Sequence, residues 1–259
     1  MKYRYFLDFL PLWALFLITI ALIAIAMESG FRLGAWRRRR TQQEKDAPVG
    51  AVVGATLGLL GFMLAITFGI AVSRFDFRRQ AFLGEINVLS SAYLYADLLP
   101  GEERDEVRTL LREYVEARLH AAESGNLEEG ISRSEDIHRK LWETTLRAAT
   151  KSQNFLAVGI FAQTINALFD AHTKRVFAVV DSRIPAFIWV VLYGVTMLGM
   201  GELGYQSALA GSARSPASVG LVIAFAAVLL LVTDLDRPLG GFLRVNQDAM
   251  EALRGSFSG

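Results

Sequence analysis

The sequence predicts an all-α membrane protein with four transmembrane helices and a long helical soluble insert between the second and third. Three observations carry that reading. The chain of 259 residues is 53% hydrophobic with a mean hydropathy of +0.33. Its apolar residues gather into a few long uncharged runs, the pattern of a multi-pass helical membrane protein. Between the second and third runs lies about a hundred residues of charged, amphipathic sequence at helical spacing, and no strand pattern of useful length occurs anywhere.

Residues 1–73 form the first part: a short basic-aromatic lead-in and two spans. Phe9–Met27 is an uncharged run of 19 residues, with Pro11 tolerable near its start. Ala24-Ile25-Ala26 resembles a signal-peptidase site, but the apolar run is longer than a signal core, so it reads as a retained span. Arg37 to Arg40 follow in a row and read as a topology determinant or a lipid-headgroup contact. Val49–Ser73 has 25 residues without a charge, long enough at about 1.5 Å per residue to cross a ~30 Å hydrocarbon core with some tilt. Gly50, Gly54 and Gly58 recur at every fourth position, and Gly61, Ala65, Gly69 and Ser73 continue the series on nearly the same side. A stripe of small residues either admits another helix closely or lines a passage, and both readings stand at this point.

Residues 74–183 form the insert, with 15 Lys+Arg against 17 Asp+Glu. The second span continues into it without a Pro or Gly break. Pro100, Glu102 and Glu103 start an amphipathic helix carrying Val107, Leu110, Leu111, Tyr114, Val115 and Leu119, which Ser124-Gly125-Asn126 ends. Further helices are expected over about 132–152 and 155–180. The last is apolar almost all round, yet Gln163, Asn166 and Asp170 argue against a lipid-facing element. Residues 184–235 supply the third span, Ile184–Gly201, with Trp189 and Tyr193 expected near the interface, and the fourth, Val219–Val232. Residues 236–259 are a tail ending in a short amphipathic piece.

The composition excludes several classes of chemistry. No cysteine is present, which removes disulfides, thiolate metal sites and cysteine nucleophiles. The three histidines form no metal-ligand pair, and no phosphate loop or nucleophile elbow occurs, so no enzyme, no cofactor and no metal is expected. The net charge of +1 gives no reason to expect nucleic acid. The partners implied are the lipid bilayer and inorganic ions. Basic residues near the membrane ends divide 11 (Lys2 and Arg4 among them) on the side of the termini and insert to 7 (Lys45 and Arg214 among them) on the other, although the densest cluster lies with the 7.

Four stretches carry a resemblance. GLLGFMLAITFGIAVSRFDFRRQAFLGEINVLSSAYLYADLLP, LLREYVEARL, NALFDAHTKRVFAVVDSRIP and DLDRPLGGFLRV resemble the bacterial bestrophin-like domain family, and the first, more distantly, the bacterial bestrophin channels. The resemblance implies a homo-oligomer of five subunits around one axial pore in the bacterial inner (plasma) membrane, with termini and insert cytoplasmic. It implies a pore lined by the second span at Gly54, Leu57, Gly58, Gly61, Phe62, Ala65, Ile66 and Gly69, with Phe62 and Ile66 as the constriction. Asp76-Phe77 stands where true bestrophins have a tryptophan and an acidic pair, and the calcium-binding acidic run of the animal proteins is missing, so calcium gating is not expected.

The polar residues each carry two readings. Arg74, Asp76, Arg78 and Arg79 follow the second span and either set ion selectivity as a ring or snorkel at the interface. Glu85 and Asn87 line a vestibule or join a buried network. Asn166, Asp170 and Arg175 match a polar pattern of the family, read as a structural capping or inter-helix network, with ion contact as the other reading. Asp234, Asp236 and Arg237 read as a helix stop, with Pro238, Gly240 and Gly241 redirecting the tail; the other reading, a cation site on the two carboxylates, needs more oxygen ligands than the local sequence supplies. Glu202 ends the third span as an interfacial acid, and His172 reads as solvated or packed. The function expected is passive ion permeation, with anions such as chloride favoured. The competing expectation is a non-conducting scaffold or envelope sensor whose insert binds a partner.

Overall fold

A computed structural model of the chain describes residues 10–40, 46–211, 216–238 and 240–257, and among these no strand occurs. The lead-in with Lys2 and Arg4, and Lys45 and Arg214, lie outside the described residues. Eight α-helices follow in order among those described: α1 (Leu12–Arg40), α2 (Asp46–Tyr95), α3 (Gly101–Ser124), α4 (Leu127–Lys151), α5 (Phe155–Val180), α6 (Ala186–Leu209), α7 (Pro216–Asp236) and α8 (Asp248–Ser256). They belong to two compact units. One comprises residues 1–75 and 183–243, the other 76–182 and 244–259.

In the first unit α1 packs along α6 and α7. The close crossing of α1 and α6 is made by glycine. A Cβ on Gly30 would overlap the Gly201 carbonyl, one on Gly34 would crowd the backbone of Tyr205, and one on Gly204 would overlap the Met27 carbonyl. Two backbones meet there with no side chain between them, as small residues permit in membrane helices. The sequence offered this role to the second span; the glycines that perform it are on the first and third. Both helices are also longer than their uncharged runs. α1 continues past Met27 to Arg40 because Glu28 and Arg32 form an i, i+4 ion pair (2.8 Å) on its surface, so the first charge does not end the helix. α6 runs past Gly201 to Leu209 because Gly201 and Gly204 are held against α1 rather than acting as breakers. Trp189 is 2% exposed, packed in the apolar core with Leu192, Leu229 and Val232. It is a core residue where an interfacial one was expected.

The end of α7 is tied by its charges. Asp234 accepts the backbone N–H groups of Phe242 (2.9 Å, at Oδ1) and Leu243 (3.0 Å, at Oδ2). Gly241, at φ +117, lets the chain turn onto that carboxylate, where a side chain would collide with it. Asp236 accepts the N–H of Ile184 (2.9 Å), just before α6, and Arg237 donates to the Leu10 carbonyl (2.7 Å). All three side chains are buried, and their hydrogen bonds replace the water lost.

In the second unit α3, α4 and α5 enclose a core of Val107, Leu111, Leu141, Phe161, Ile165 and Leu168, against which α2 contributes Phe82, Leu89 and Ala92. Gly125 (φ 69) caps α3. Asn126 starts α4 five residues earlier than the sequence indicates, its carboxamide exchanging hydrogen bonds with Glu129. Met250, Leu253 and Phe257 bury the tail in the same core, and Phe257 stacks on Tyr93 with 4.0 Å between ring centroids.

Among the described residues five helices are long and apolar enough to cross a membrane: α1, α2, α5, α6 and α7. The sequence counts four of these as spans and leaves the fifth, α5, in the insert. Its buried side carries His172 as well as Phe161, Ile165 and Leu168, and those three apolar side chains belong to the core of the second unit.

Candidate functional site

The site is built on α2, an uninterrupted helix of 50 residues. Its buried side repeats at three, four or seven, with Val53, Leu60, Leu64, Thr67 and Ala71 in the first unit, then Arg78, Phe82, Glu85, Leu89 and Ala92 in the second, where Ala81 beside Phe82 is buried as well. The opposite side repeats in the same way. Gly54, Gly58, Gly61, Ala65, Gly69 and Ser73 form a ladder, Asp76, Gln80, Leu83 and Asn87 continue its period, and every one of them is exposed. A Cβ added at Gly54, Gly58, Gly61 or Gly69 would meet no atom within 4 Å. Two large apolar side chains flank the ladder, Phe62 at 64% and Ile66 at 49% exposure. An apolar face left open by its own subunit faces lipid, another subunit or a passage.

The structure sorts the sequence candidates around this helix. Gly54, Gly58, Gly61, Phe62, Ala65, Ile66 and Gly69 share the exposed side. Leu57 does not: it is half-buried, and its side chain lies within 3.2 Å of where a Cβ on Gly199 of α6 would be. Asp76, Arg79 and Asn87 are exposed and Arg74 is half-buried, whereas Arg78 (4%) and Glu85 (0%) are buried. Asn166 and Asp170 are exposed on α5, and Arg175 leaves their company for Glu85.

Glu85 is the hub of a buried ionic cluster to which four helices contribute. Tyr114 of α3 donates its hydroxyl hydrogen to Glu85 Oε1 (2.6 Å), and Arg175 of α5 donates from Nη1 to Oε2 (2.7 Å). Arg118 Nε stands 3.4 Å from Oε1, at ion-pair distance but without hydrogen-bond alignment. Because the one hydroxyl hydrogen of Tyr114 goes to the carboxylate, its oxygen accepts from His172 Nδ1 (2.9 Å), which fixes the Nδ1–H tautomer. His138 of α4 completes the cluster, stacked on Tyr114 and edge-on to His172. Burial, then the adjacent Glu85 charge, raises the Tyr114 hydroxyl well above its ordinary value. Burial first, then the neighbouring His172, pushes His138 down to about 4, so it is neutral at pH 7.

The sequence named Glu85, His172 and Arg175 without joining them, and missed Tyr114, Arg118 and His138 as polar partners. Tyr114 sits at a core position of an amphipathic helix, where a hydroxyl leaves no mark in the pattern. The Arg118 and His138 signal is weak as well: a charged or titratable residue flanking an apolar stripe is ordinary on a surface helix.

A family model described as the bestrophin-like domain matches residues 16–250. The chain belongs to the bestrophin-like domain family. No curated protein matches this bestrophin-like chain by sequence. Among solved structures it is similar to a bacterial bestrophin homolog from Klebsiella pneumoniae carrying a single substitution, at 14% identity, over 96% of this chain and 99% of that one, with a TM-score of 0.66. A second structure of the Klebsiella pneumoniae homolog matches at 16% identity over 94% of each chain, with a TM-score of 0.59. A membrane protein carrying a proline-to-alanine substitution matches at 15% identity, over 95% of this chain and 97% of that one, with a TM-score of 0.65. At these identities the likeness is one of fold.

Proposed function

We propose that the protein is an oligomeric ion channel through which ions pass passively along a pore lined by the exposed side of α2. One observation carries the reading. The small-residue ladder from Gly54 to Gly69 is turned away from its own subunit, whose apolar core is filled by the opposite side of the same helix. A helix that needed its glycines for packing within the subunit would cover them, as α1 covers Gly30 and Gly34 and α6 covers Gly199 and Gly204. Membership of the bestrophin-like family and the shared fold of a bacterial bestrophin homolog support the channel reading, given the resemblance of the second span to the bacterial bestrophin channels.

In this account α1, α2, α6 and α7 are the four spans and α5 belongs to the insert. Five subunits surround the axis in the bacterial inner membrane, with the termini and insert cytoplasmic. Phe62 and Ile66 narrow the pore, where apolar side chains control the passage of hydrated ions by dewetting. Arg79 and Arg74, beyond the span, favour anions such as chloride at the mouth, with Asp76 and Asn87 sharing the exposed side. Arg78 and Glu85, being buried, support the helix instead.

The test is single-channel recording of the purified protein in planar bilayers under a chloride gradient, with Phe62→Ala and Arg79→Glu in parallel. The reading calls for discrete currents whose reversal potential follows chloride. Phe62→Ala enlarges them and Arg79→Glu shifts the reversal potential toward cations. Folded oligomers that stay silent, Phe62→Ala included, would instead establish the non-conducting scaffold, with the ladder serving only to join subunits.

A further inference from the structure

An apolar patch lies uncovered on the second unit, at the end where α2 gives way to α3. Leu94 follows Asn87 by seven residues, so it stands on the side of α2 that stays exposed, and a single 3-10 turn (Ala96–Leu98) follows the helix. Leu94 (63%), Tyr95 and Leu98 are all exposed there. α5 begins beside them with Phe155 and Leu156, 75% and 76% exposed, and Ile160 follows one turn later. The two segments are held together. Lys151, four residues before Phe155, pairs with Glu102, four residues after Leu98, at 3.0 Å. From their buried sides Ala96, Leu99, Val158 and Phe161 share one core.

The patch is ordered before anything covers it. The Asn154 side chain accepts the Ala157 N–H (3.1 Å) and caps α5, which fixes the backbone at Phe155 and Leu156. A surface ordered in advance loses little freedom on binding. By their exposures the six side chains offer roughly 600 Å² of apolar surface, the upper end of what a monomer leaves open and most of the ~800 Å² that one partner gives to a stable interface. The borders of the patch decide between lipid and protein. Asp97, between Tyr95 and Leu98, pairs with Arg108 at 2.8 Å, and Glu102 and Lys151 are exposed at the other edge. Hydrocarbon would strip all these charges of water. Aromatic and leucine side chains inside a charged rim have the anatomy of a protein–protein contact. A second copy is the partner that fits, because subunits gathered symmetrically along the exposed side of α2 bring their Leu94 patches together.

We propose that Leu94, Tyr95, Leu98, Phe155, Leu156 and Ile160 form the contact by which the insert of one copy docks on the insert of the next. The assignment rests on the oligomeric part of the channel reading and is independent of conduction. It gives the second unit a role in assembly that the membrane spans do not supply.

The experiment is chemical cross-linking of the full chain in membranes, where the lack of native cysteine leaves the introduced thiol as the reactive one. L94C, F155C and L156C, made one at a time, are treated with a short bis-maleimide and then denatured. Covalent dimers form at all three positions, whereas R139C, exposed on α4, gives none. Adding L156E to L94C places a carboxylate in the contact and lowers the dimer yield by about tenfold or more. Absence of dimer at all three positions, equal dimer from R139C, or an unchanged yield with L156E overturns the proposal. Should L156E fail to fold, the single cysteines decide. Protection of F155C and L156C from a water-soluble maleimide without any cross-linking gives the patch to lipid and rejects the contact. Oligomers that cross-link but carry no current would remove the channel and leave this interface standing.

Discussion

Two stretches of α2 obey the same helical period and treat their buried side in opposite ways. From Val53 to Ala71 the helix buries Val53, Leu60, Leu64 and Ala71 and leaves its glycines uncovered. From Arg78 to Ala92 it buries a glutamate, held by a tyrosine and two arginines, among Phe82 and Leu89. In the first stretch the apolar side does the packing and the small residues remain available to something outside the subunit. In the second the helix is fixed to its neighbours by charge, which is unforgiving of any change of partner. Residue type alone does not announce its surroundings. Glycine here marks an open face, and a carboxylate marks the interior.

The largest effect expected from this contrast is at the hub. Glu85→Leu leaves Arg118 and Arg175 buried with no carboxylate between them, and breaking a buried ion pair by removing one partner costs about 3–5 kcal/mol. Thermal or denaturant unfolding of the purified protein should register that loss. A variant as stable as the wild type would show that the cluster does not hold the second unit together.

Acid should reach the same cluster through His138. Its folded value of about 4 lies below the ordinary value of 6.5, so the unfolded chain binds the proton more readily. The stability this neutral imidazole allows is complete above about pH 6.5 and is lost as the pH falls from there toward about 4. The unfolding midpoint should decline across that window, and His138→Phe should flatten the decline. An equal slope in the variant would show that His138 does not carry the acid sensitivity.

The smallest effect belongs to the open face. Gly58→Ala meets no atom within 4 Å in its subunit. Alanine favours helix by about 1 kcal/mol over glycine, so subunit stability should change by no more than that, toward greater stability. Current through reconstituted oligomers is where the added methyl should be felt. A strongly destabilised subunit would mean that the face is covered after all.

The sequence made the helices legible because their signals are local: uncharged runs, the Pro100 start of α3, the Gly125 cap. It also showed Asp234, Asp236 and Arg237 as a helix stop with a turn after it, since proline and two glycines stand beside them. What it hid was partnership. The glycines of the second span and those at Gly30, Gly34, Gly201 and Gly204 look alike in one dimension, and only the crossing of α1 and α6 separates them. Met27 appeared to end the first helix because a charge follows, yet Glu28 and Arg32 neutralise each other along the helix surface. Tyr114, Arg118, His138 and Arg175 come from three helices that share no motif, and it is the packing around Glu85 that gives them a common purpose.

A cysteine scan of α2 separates the two sides of the helix in one experiment, and a chain without native cysteine is suited to it. Single cysteines at Gly58, Phe62, Ala65 and Ile66 on the exposed side, and at Leu60 and Leu64 on the buried side, would be recorded before and after a charged thiol reagent. A pore lined by the exposed side gives altered current at the first four and none at the other two. Modification that alters current at Leu60 and Leu64 but leaves Phe62 and Ile66 indifferent would contradict it.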